Sequence, residues 1–311
     1  MQKDLRSGDY EYHEPVLRDL TIDFLINDIN GIYIDGTLGG GGHAAVILSR
    51  LDSGGKLIGF DKDLRAIEEC KRKFAQMGES VSGKFRLYND CYSKSCSEAD
   101  TWGHVSGLLL DLGVSSRQID TDSVGLSYRV NSKLDMRFGS QGDSAEDLLL
   151  KISEQDLAGI LRDYSEEPYA KPIARRIIER RRAQALNTTF DLRAAVEQSV
   201  PETFRTKALS RVFQAIRIAV NNELGVLEET LRCIPSKMKS GGRIVVMSYH
   251  SLEDKITANV FKELSKKKDG KGNKITPQLK VITKKAVEAD EAEIKKNPRA
   301  RSVKIRVAEK I

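Results

Sequence analysis

Short apolar runs separated by polar, glycine-bearing turns dominate the first third of the chain. Ile32–Ile34, Leu57–Phe60 and Val105–Leu110 are rich in Ile, Leu and Val, and short runs of this kind suit strands buried on both faces of a parallel sheet. A helical stretch, Ala44–Leu51, lies between the first two. After the second comes Leu64–Met77, where Leu64, Ile67, Cys70, Lys71 and Phe74 suit an amphipathic helix. Alternating strand and helix predict a doubly wound α/β sheet. Much later Gly241-Gly242 leads into the β-branched run Arg243–Ser248, a further strand of that sheet, and Ser302–Val307 alternates as an edge strand does.

Between Gln118 and about Asn221 the rhythm changes to helices: Ala145–Ile152, Glu154–Tyr164, Lys171–Arg182, Thr189–Val200 and Lys207–Glu223. An all-helical domain over 118–221, inserted into a sheet domain made of 1–117 and 222–311, is the economical reading. A lysine-rich segment around Lys266, Lys267, Lys268, Gly270 and Gly272 has little apolar content and is expected to form a mobile loop.

Composition narrows the class. The 311 residues are 40% hydrophobic and 31% charged, and no apolar run approaches the roughly 20 residues that cross a bilayer. The first fifteen residues are polar and include Asp4, Asp9, Glu11 and Glu14, unlike a secretory or transit signal, so a cytoplasmic protein is expected. Four cysteines form no CxxC pair and four histidines are scattered. Neither a zinc site nor a disulfide framework is expected, and the cysteines read as ordinary thiols. A formal charge of +6 suits a polyanionic partner or a solvated surface equally. Arg175, Arg176, Arg180, Arg181 and Arg182 on one helix carry the same two readings, and so do Lys295, Lys296, Arg299 and Arg301.

The chemistry gathers where the first strand ends. Asp35-Gly36-Thr37-Leu38-Gly39-Gly40-Gly41-Gly42-His43 precedes a helix, and glycines there let backbone N–H groups approach a ligand at the helix N-terminus. Phe60-Asp61 ends the second strand, where an acid is placed to accept hydrogen bonds from ribose hydroxyls. Asp111-Leu112-Gly113-Val114-Ser115-Ser116 follows the strand Val105–Leu110 at the same carboxyl edge. A dinucleotide-dependent dehydrogenase is the rival, but its fingerprint is GxGxxG. The Asp-x-x-x-Gly-x-Gly form here resembles the first motif of class I methyltransferases.

At this point a closer resemblance enters. His13–Leu17 (HEPVL), Tyr33–His43 (YIDGTLGGGGH), Asp111–Ser116 (DLGVSS), Leu134–Arg137 (LDMR), Phe213–Glu223 (FQAIRIAVNNE), Ser248–Asp254 (SYHSLED) and Asn297–Ser302 (NPRARS) stand in order along nearly the whole chain. In these the chain resembles the bacterial 16S ribosomal RNA cytosine-N4 methyltransferases of the MraW type. The resemblance implies a class I S-adenosyl-L-methionine-dependent fold, Rossmann-like, with a helical substrate-recognition insertion. It also implies action on a cytosine of 16S rRNA in the decoding region of the small ribosomal subunit. Cofactor contacts carried over by it fall on Gly41, Gly42, His43, Asp61, Tyr92, Asp111 and Gln118. Tyr92 departs from the Phe common at that position, and Gly40 stands where some members carry Arg.

The exocyclic amine of cytosine is a poor nucleophile because its lone pair is delocalised into the ring. Its methylation calls for a hydrogen acceptor held in place beside it, and no metal. Enzymes acting on such amines often carry Asn- or Asp-Pro-Pro-Tyr after the fourth strand, whereas this chain has Asp-Leu-Gly-Val. Asp111 fills the first position and the aromatic clamp is missing from the fourth. Asp111 is the first candidate for the acceptor and His250 the second.

Overall fold

The computed structural model describes residues 15–113 and 124–311. Among them a mixed sheet comprises β1 (Ile32–Asp35), β2 (Lys56–Phe60), β3 (Phe85–Tyr88), β4 (Val105–Asp111), β5 (Met238–Ser248), β6 (Leu279–Val281), β7 (Val287–Glu288) and β8 (Lys304–Lys310). The order is β3-β2-β1-β4-β5-β8-β6, with β7 also paired to β8. Strands β1 to β5 are parallel and β8 returns antiparallel beside β5. This is a Rossmann-like doubly wound sheet, whose order reverses between β1 and β4, the place where such folds open a crevice at the strand ends.

Helices α1 (Arg18–Leu25), α2 (Gly42–Arg50), α3 (Leu64–Gln76) and the short α4 (Ser95–Glu98) belong to the first half. Between β4 and β5 run α5 (Ala145–Lys151), α6 (Glu154–Ser165), α7 (Ala170–Arg182), α8 (Thr189–Glu197) and α9 (Arg205–Asn221). After them come α10 (Glu223–Cys233), α11 (Ser251–Leu264) and α12 (Glu291–Lys296). Both faces of the sheet are covered. Leu109, Val245 and Met247 face a cluster with Ile22, Leu48 and Phe74 of α1, α2 and α3. Leu108, Leu110, Ile244 and Val246 face Leu227, Leu231 and Phe261 of α10 and α11. Because both faces are apolar, β4 and the end of β5 read as unbroken runs although successive side chains point opposite ways.

Helices α5 to α9 surround a third apolar cluster of their own, including Leu149, Leu161, Ile177, Leu192 and Phe213. Asn222, in the left-handed region at φ 47°, ends α9 and starts α10. The helix predicted to run through Glu223 therefore breaks one residue earlier. A loop is tied to that corner by the buried Asn221. Its Oδ1 accepts from Phe138 N–H at 2.9 Å, and its Nδ2 donates to the carbonyls of Met136 and Arg217 at 2.8 and 2.9 Å.

The structure departs from the sequence reading at three places. β3, implied by counting Val105–Leu110 as the fourth strand, has no range in the sequence reading, because its sequence Phe-Arg-Leu-Tyr lies at the sheet edge and is only partly buried. Conversely β8 is no edge strand: it lies between β5 and β6. Its polar positions reflect ion pairing, since Arg306 makes a two-pronged contact with Asp254 of α11 and Lys304 lies 3.9 Å from the same carboxylate. Cys96 and Cys233, 137 residues apart, are joined as a disulfide, a pairing that no sequence spacing announced. The lysine-rich segment is the expected loop, and Asp269 organises a turn in it: its carboxylate accepts from Lys271 N–H and from the N–H and side-chain amide of Asn273, each at 2.8 Å.

Candidate active site

At the carboxyl edge of β1, β2, β4 and β5 lies a cleft of about 780 Å³. The glycine loop forms its floor. Gly39 and Gly41 have φ of 49° and 68°. A Cβ on Gly41 would lie 2.8 Å from the Cys70 sulfur, and one on Gly42 would lie 2.1 Å from Pro15. Only glycine fits either place, so the loop is pressed between α3 and Pro15. No side chain caps the N-terminus of α2 that follows. Gly42 lines the cleft, whereas Gly41 stands behind it.

Three carboxylates converge here. Asp61 Oδ2 accepts from Gly39 N–H and Oδ1 from Asp63 N–H, both at 2.8 Å. Burial pushes its carboxyl up to about 6, opposed by those two N–H groups. Asp35 is buried beneath the loop, with Oδ1 accepting from Thr37 N–H at 3.1 Å. Burial, with Asp111 and Asp61 adding to it, pushes Asp35 up to about 7, while His43 acts in the opposite direction. Asp111, at the end of β4, is held from three sides. Its N–H donates to Thr37 Oγ1 at 2.7 Å, its Oδ1 accepts from Tyr249 O–H at 2.7 Å, and its Oδ2 lies 3.4 Å from His43 Nε2. Neither ring nitrogen of the buried His43 forms a hydrogen bond among the described residues.

Strand register explains why Tyr249 arrives there. Asp111 is level with Met247, so the chain beyond β5 carries Tyr249 to the Asp111 side chain. Tyr249 N–H donates to Glu253 Oε2 at 2.8 Å, and burial, then Asp111, drives its phenol well above the usual range. His250 is the N-cap of α11. Its imidazole folds onto Glu253, with Nε2 3.1 Å from Oε1 and Nδ1 accepting from the Glu253 N–H at 3.4 Å. Tyr92 opens the turn after β3 and also lines the cleft. A Cβ on Gly36 would lie 2.9 Å from that of Tyr92, so the missing side chain makes room for it.

The structure thus brings Gly42, His43, Asp61, Tyr92, Asp111 and His250 to one cleft, with Gly41 buttressing it. Gln118, Ser115 and Ser116 lie outside the described residues. Sequence reasoning gave no role to Thr37, Tyr249 or the Arg217–Glu223 pair, whose two contacts of 2.8 and 3.0 Å join the α9–α10 corner at the cleft wall. Their signal was present in YIDGT, SYHSLED and FQAIRIAVNNE, but only the register and the helix break show what these side chains meet. The arginine cluster on α7 divides. Arg181 donates to the carbonyls of Leu149, Leu150 and Ile152 at the end of α5, and Arg180 to Ala185 and Asp191, so both hold the fold. Arg175 and Arg176 are exposed and, among the described residues, pair with Glu154 and Glu179.

The model of the MraW methylase family matches residues 10–311. The chain belongs to that family. Proteins named ribosomal RNA small subunit methyltransferase H are similar over nearly their full length. That of Heliobacterium modesticaldum is 40% identical, over 96% of this chain and 99% of the relative. That of Geotalea uraniireducens is 42% identical with the same coverage, and that of Chlorobaculum parvum 41% identical over 98% and 100%. As a methylase of this family, the protein uses S-adenosylmethionine as its methyl donor. No helix among the described residues is long and apolar enough to cross a membrane.

Proposed function

We propose that the protein methylates the N4 amine of a cytosine in the decoding region of 16S rRNA, within the small ribosomal subunit and hence in the cytoplasm. The observation that carries the reading is the Asp111 carboxylate, fixed at the end of β4 by Thr37 and Tyr249 and open to the same cleft as the glycine loop. The relatives' name, ribosomal RNA small subunit methyltransferase H, supports an rRNA substrate.

The residues fit the donor. Asp61 and Asp111 both line the cleft, two carboxyl groups that suit a ligand bearing a sulfonium and an ammonium. In this reading Asp61 takes the ribose hydroxyls, Tyr92 flanks the adenine, and Gly41, Gly42 and His43 shape the loop around the remainder, with Gln118 completing the set. Bound there, S-adenosylmethionine supplies an electrophilic methyl group.

Asp111 does the rest of the work on the amine. A carboxylate accepting an N–H of the target makes its lone pair available for attack and receives the proton as the new C–N bond forms. His250 is engaged with Glu253 and the first turn of α11, which leaves Asp111 as the better placed acceptor. The helical region 118–221 is the RNA-recognition part in this reading, and Phe138, Gln214 and Arg217 carry it to the cleft wall. The test is mass-spectrometric mapping of methylated nucleotides in rRNA from cells with and without the gene, repeated with purified protein on naked 16S rRNA and on small subunits. N4-methylcytosine at one decoding-region site, lost with the gene and restored in vitro, is expected. Its persistence without the gene would overturn the assignment.

A further inference from the structure

The motif that supplies an aromatic clamp beside the acceptor in other amine methylases is absent after β4, yet an aromatic ring stands beside Asp111 all the same. It comes from the end of the neighbouring strand. Tyr249 follows β5, and its ring lies against Gly113, two residues beyond Asp111: a Cβ at Gly113 would meet the ring at 3.3 Å. Gly113 has φ 109°, so any side chain there would be strained by the backbone and would also crowd the ring. The ring is fixed at both ends, through O–H to Asp111 Oδ1 and through the backbone N–H to Glu253, and it lines the cleft. Close by, Arg299 lines the same cleft, near enough to act on the Tyr249 phenol, and its guanidinium has no carboxylate partner among the described residues.

We propose that Tyr249 and Arg299 form the subsite for the target nucleotide, the tyrosine ring being the platform on which the base stacks and Arg299 the contact for an adjoining phosphate. This rests on the reading that a base amine in RNA is the acceptor. A base can reach a cleft at the end of a sheet only when unstacked from its neighbours, and aromatic faces are what RNA-binding proteins commonly offer to such bases. The phenol hydroxyl adds a second role. By holding Oδ1, while Oδ2 lies 3.4 Å from His43 Nε2, it orients the carboxylate that meets the amine, so platform and acceptor keep a fixed relation.

Three variants separate these roles, with calorimetric S-adenosylmethionine affinity as the check on folding. Tyr249→Phe keeps the ring: KM for RNA should stay within about twofold while kcat falls roughly tenfold, as expected for loss of a hydrogen bond to a charged group. Tyr249→Leu removes the platform, and KM should rise roughly tenfold or more. Arg299→Ala should raise KM and lower the slope of log affinity against log salt by about one. A fluorescent cytosine analogue at the mapped target position provides a measurement on the unaltered protein, which should quench it by stacking. Should Tyr249→Leu fail to fold, that quench together with the Tyr249→Phe split decides the matter. An unquenched analogue, or an unchanged KM in folded Tyr249→Leu, overturns the proposal. A wild-type protein that makes no N4-methylcytosine overturns the underlying reading instead.

Discussion

Asp35 is a buried acid whose charge the fold tolerates poorly, and replacing it by Asn should make that cost measurable. The amide keeps an acceptor for Thr37 N–H and nearly the same volume, so the change is mainly electrostatic. An acid whose value is raised on folding supports the folded state below its unfolded value and loses that support as pH rises through the folded value. For Asp35 the window runs from its ordinary 3.8 to about 7. At about 1.4 kcal/mol for each tenfold change in proton affinity, the whole window amounts to about 4 kcal/mol, of which about 2–3 kcal/mol falls between pH 5 and pH 8. Urea denaturation of ligand-free protein, followed by circular dichroism at pH 5, 6, 7 and 8, should show Asp35→Asn gaining on the wild type by that amount across the series. The effect saturates once Asp35 is fully ionised. A stability difference independent of pH would refute the reasoning, for it would mean that Asp35 ionises in the folded protein as freely as in water.

Further outcomes follow from the same geometry. Asp61→Ala should weaken S-adenosylmethionine binding by about 1–3 kcal/mol in calorimetry, and unchanged affinity would remove Asp61 from the ribose contact. Asp111→Asn should fold and bind the donor within about tenfold of wild type, yet lose roughly 10²–10⁴ in single-turnover rate; lowered affinity with unchanged saturated turnover would make it a cofactor ligand only. Arg181→Ala should cost about 1–3 kcal/mol by uncapping the end of α5, seen as faster amide exchange there, without altering the salt dependence of RNA binding. Replacing Arg175 and Arg176 together is the contrasting test, since a flatter salt dependence is expected only where phosphates are contacted.

What the sequence disclosed depended on whether one side chain or a relationship between strands carried the information. β4 was plain because six of its seven residues are buried and all of those but Ser106 lack a polar side chain, and the glycine loop was plain because positive φ and close packing against Cys70 and Pro15 tolerate nothing else. β3 was hidden because an edge strand with an exposed face need not look like one. β8 was misplaced because Arg306 and Lys304 look like solvent-facing residues until Asp254 is set opposite them. The site shows the same divide. Asp61 and Asp111 follow from being the residues that end strands, whereas the hydrogen bond from Tyr249 to Asp111 joins positions 138 apart and exists only because β4 and β5 are neighbours. Arg181 read as either a phosphate contact or part of a solvated face, for want of any sign in the sequence that three carbonyls at the end of α5 were waiting for it.

That neighbourhood of β4 and β5 sets a problem of assembly order that the small side chain of Asn221 helps to solve. The two central strands that carry Asp111 and Tyr249 are separated by the entire helical region, and closing so long a loop before any contact rewards it is slow. Once the helices condense locally, Asn221 fastens its end to the backbone of Met136 and Phe138, 85 and 83 positions earlier. The remaining loop is roughly threefold shorter, which lowers its closure entropy by about 1 kcal/mol. Substitutions in the helical core should therefore delay maturation of the cofactor cleft without touching it, and Asn221→Ala should slow the appearance of donor binding during refolding more than it weakens binding in the finished protein.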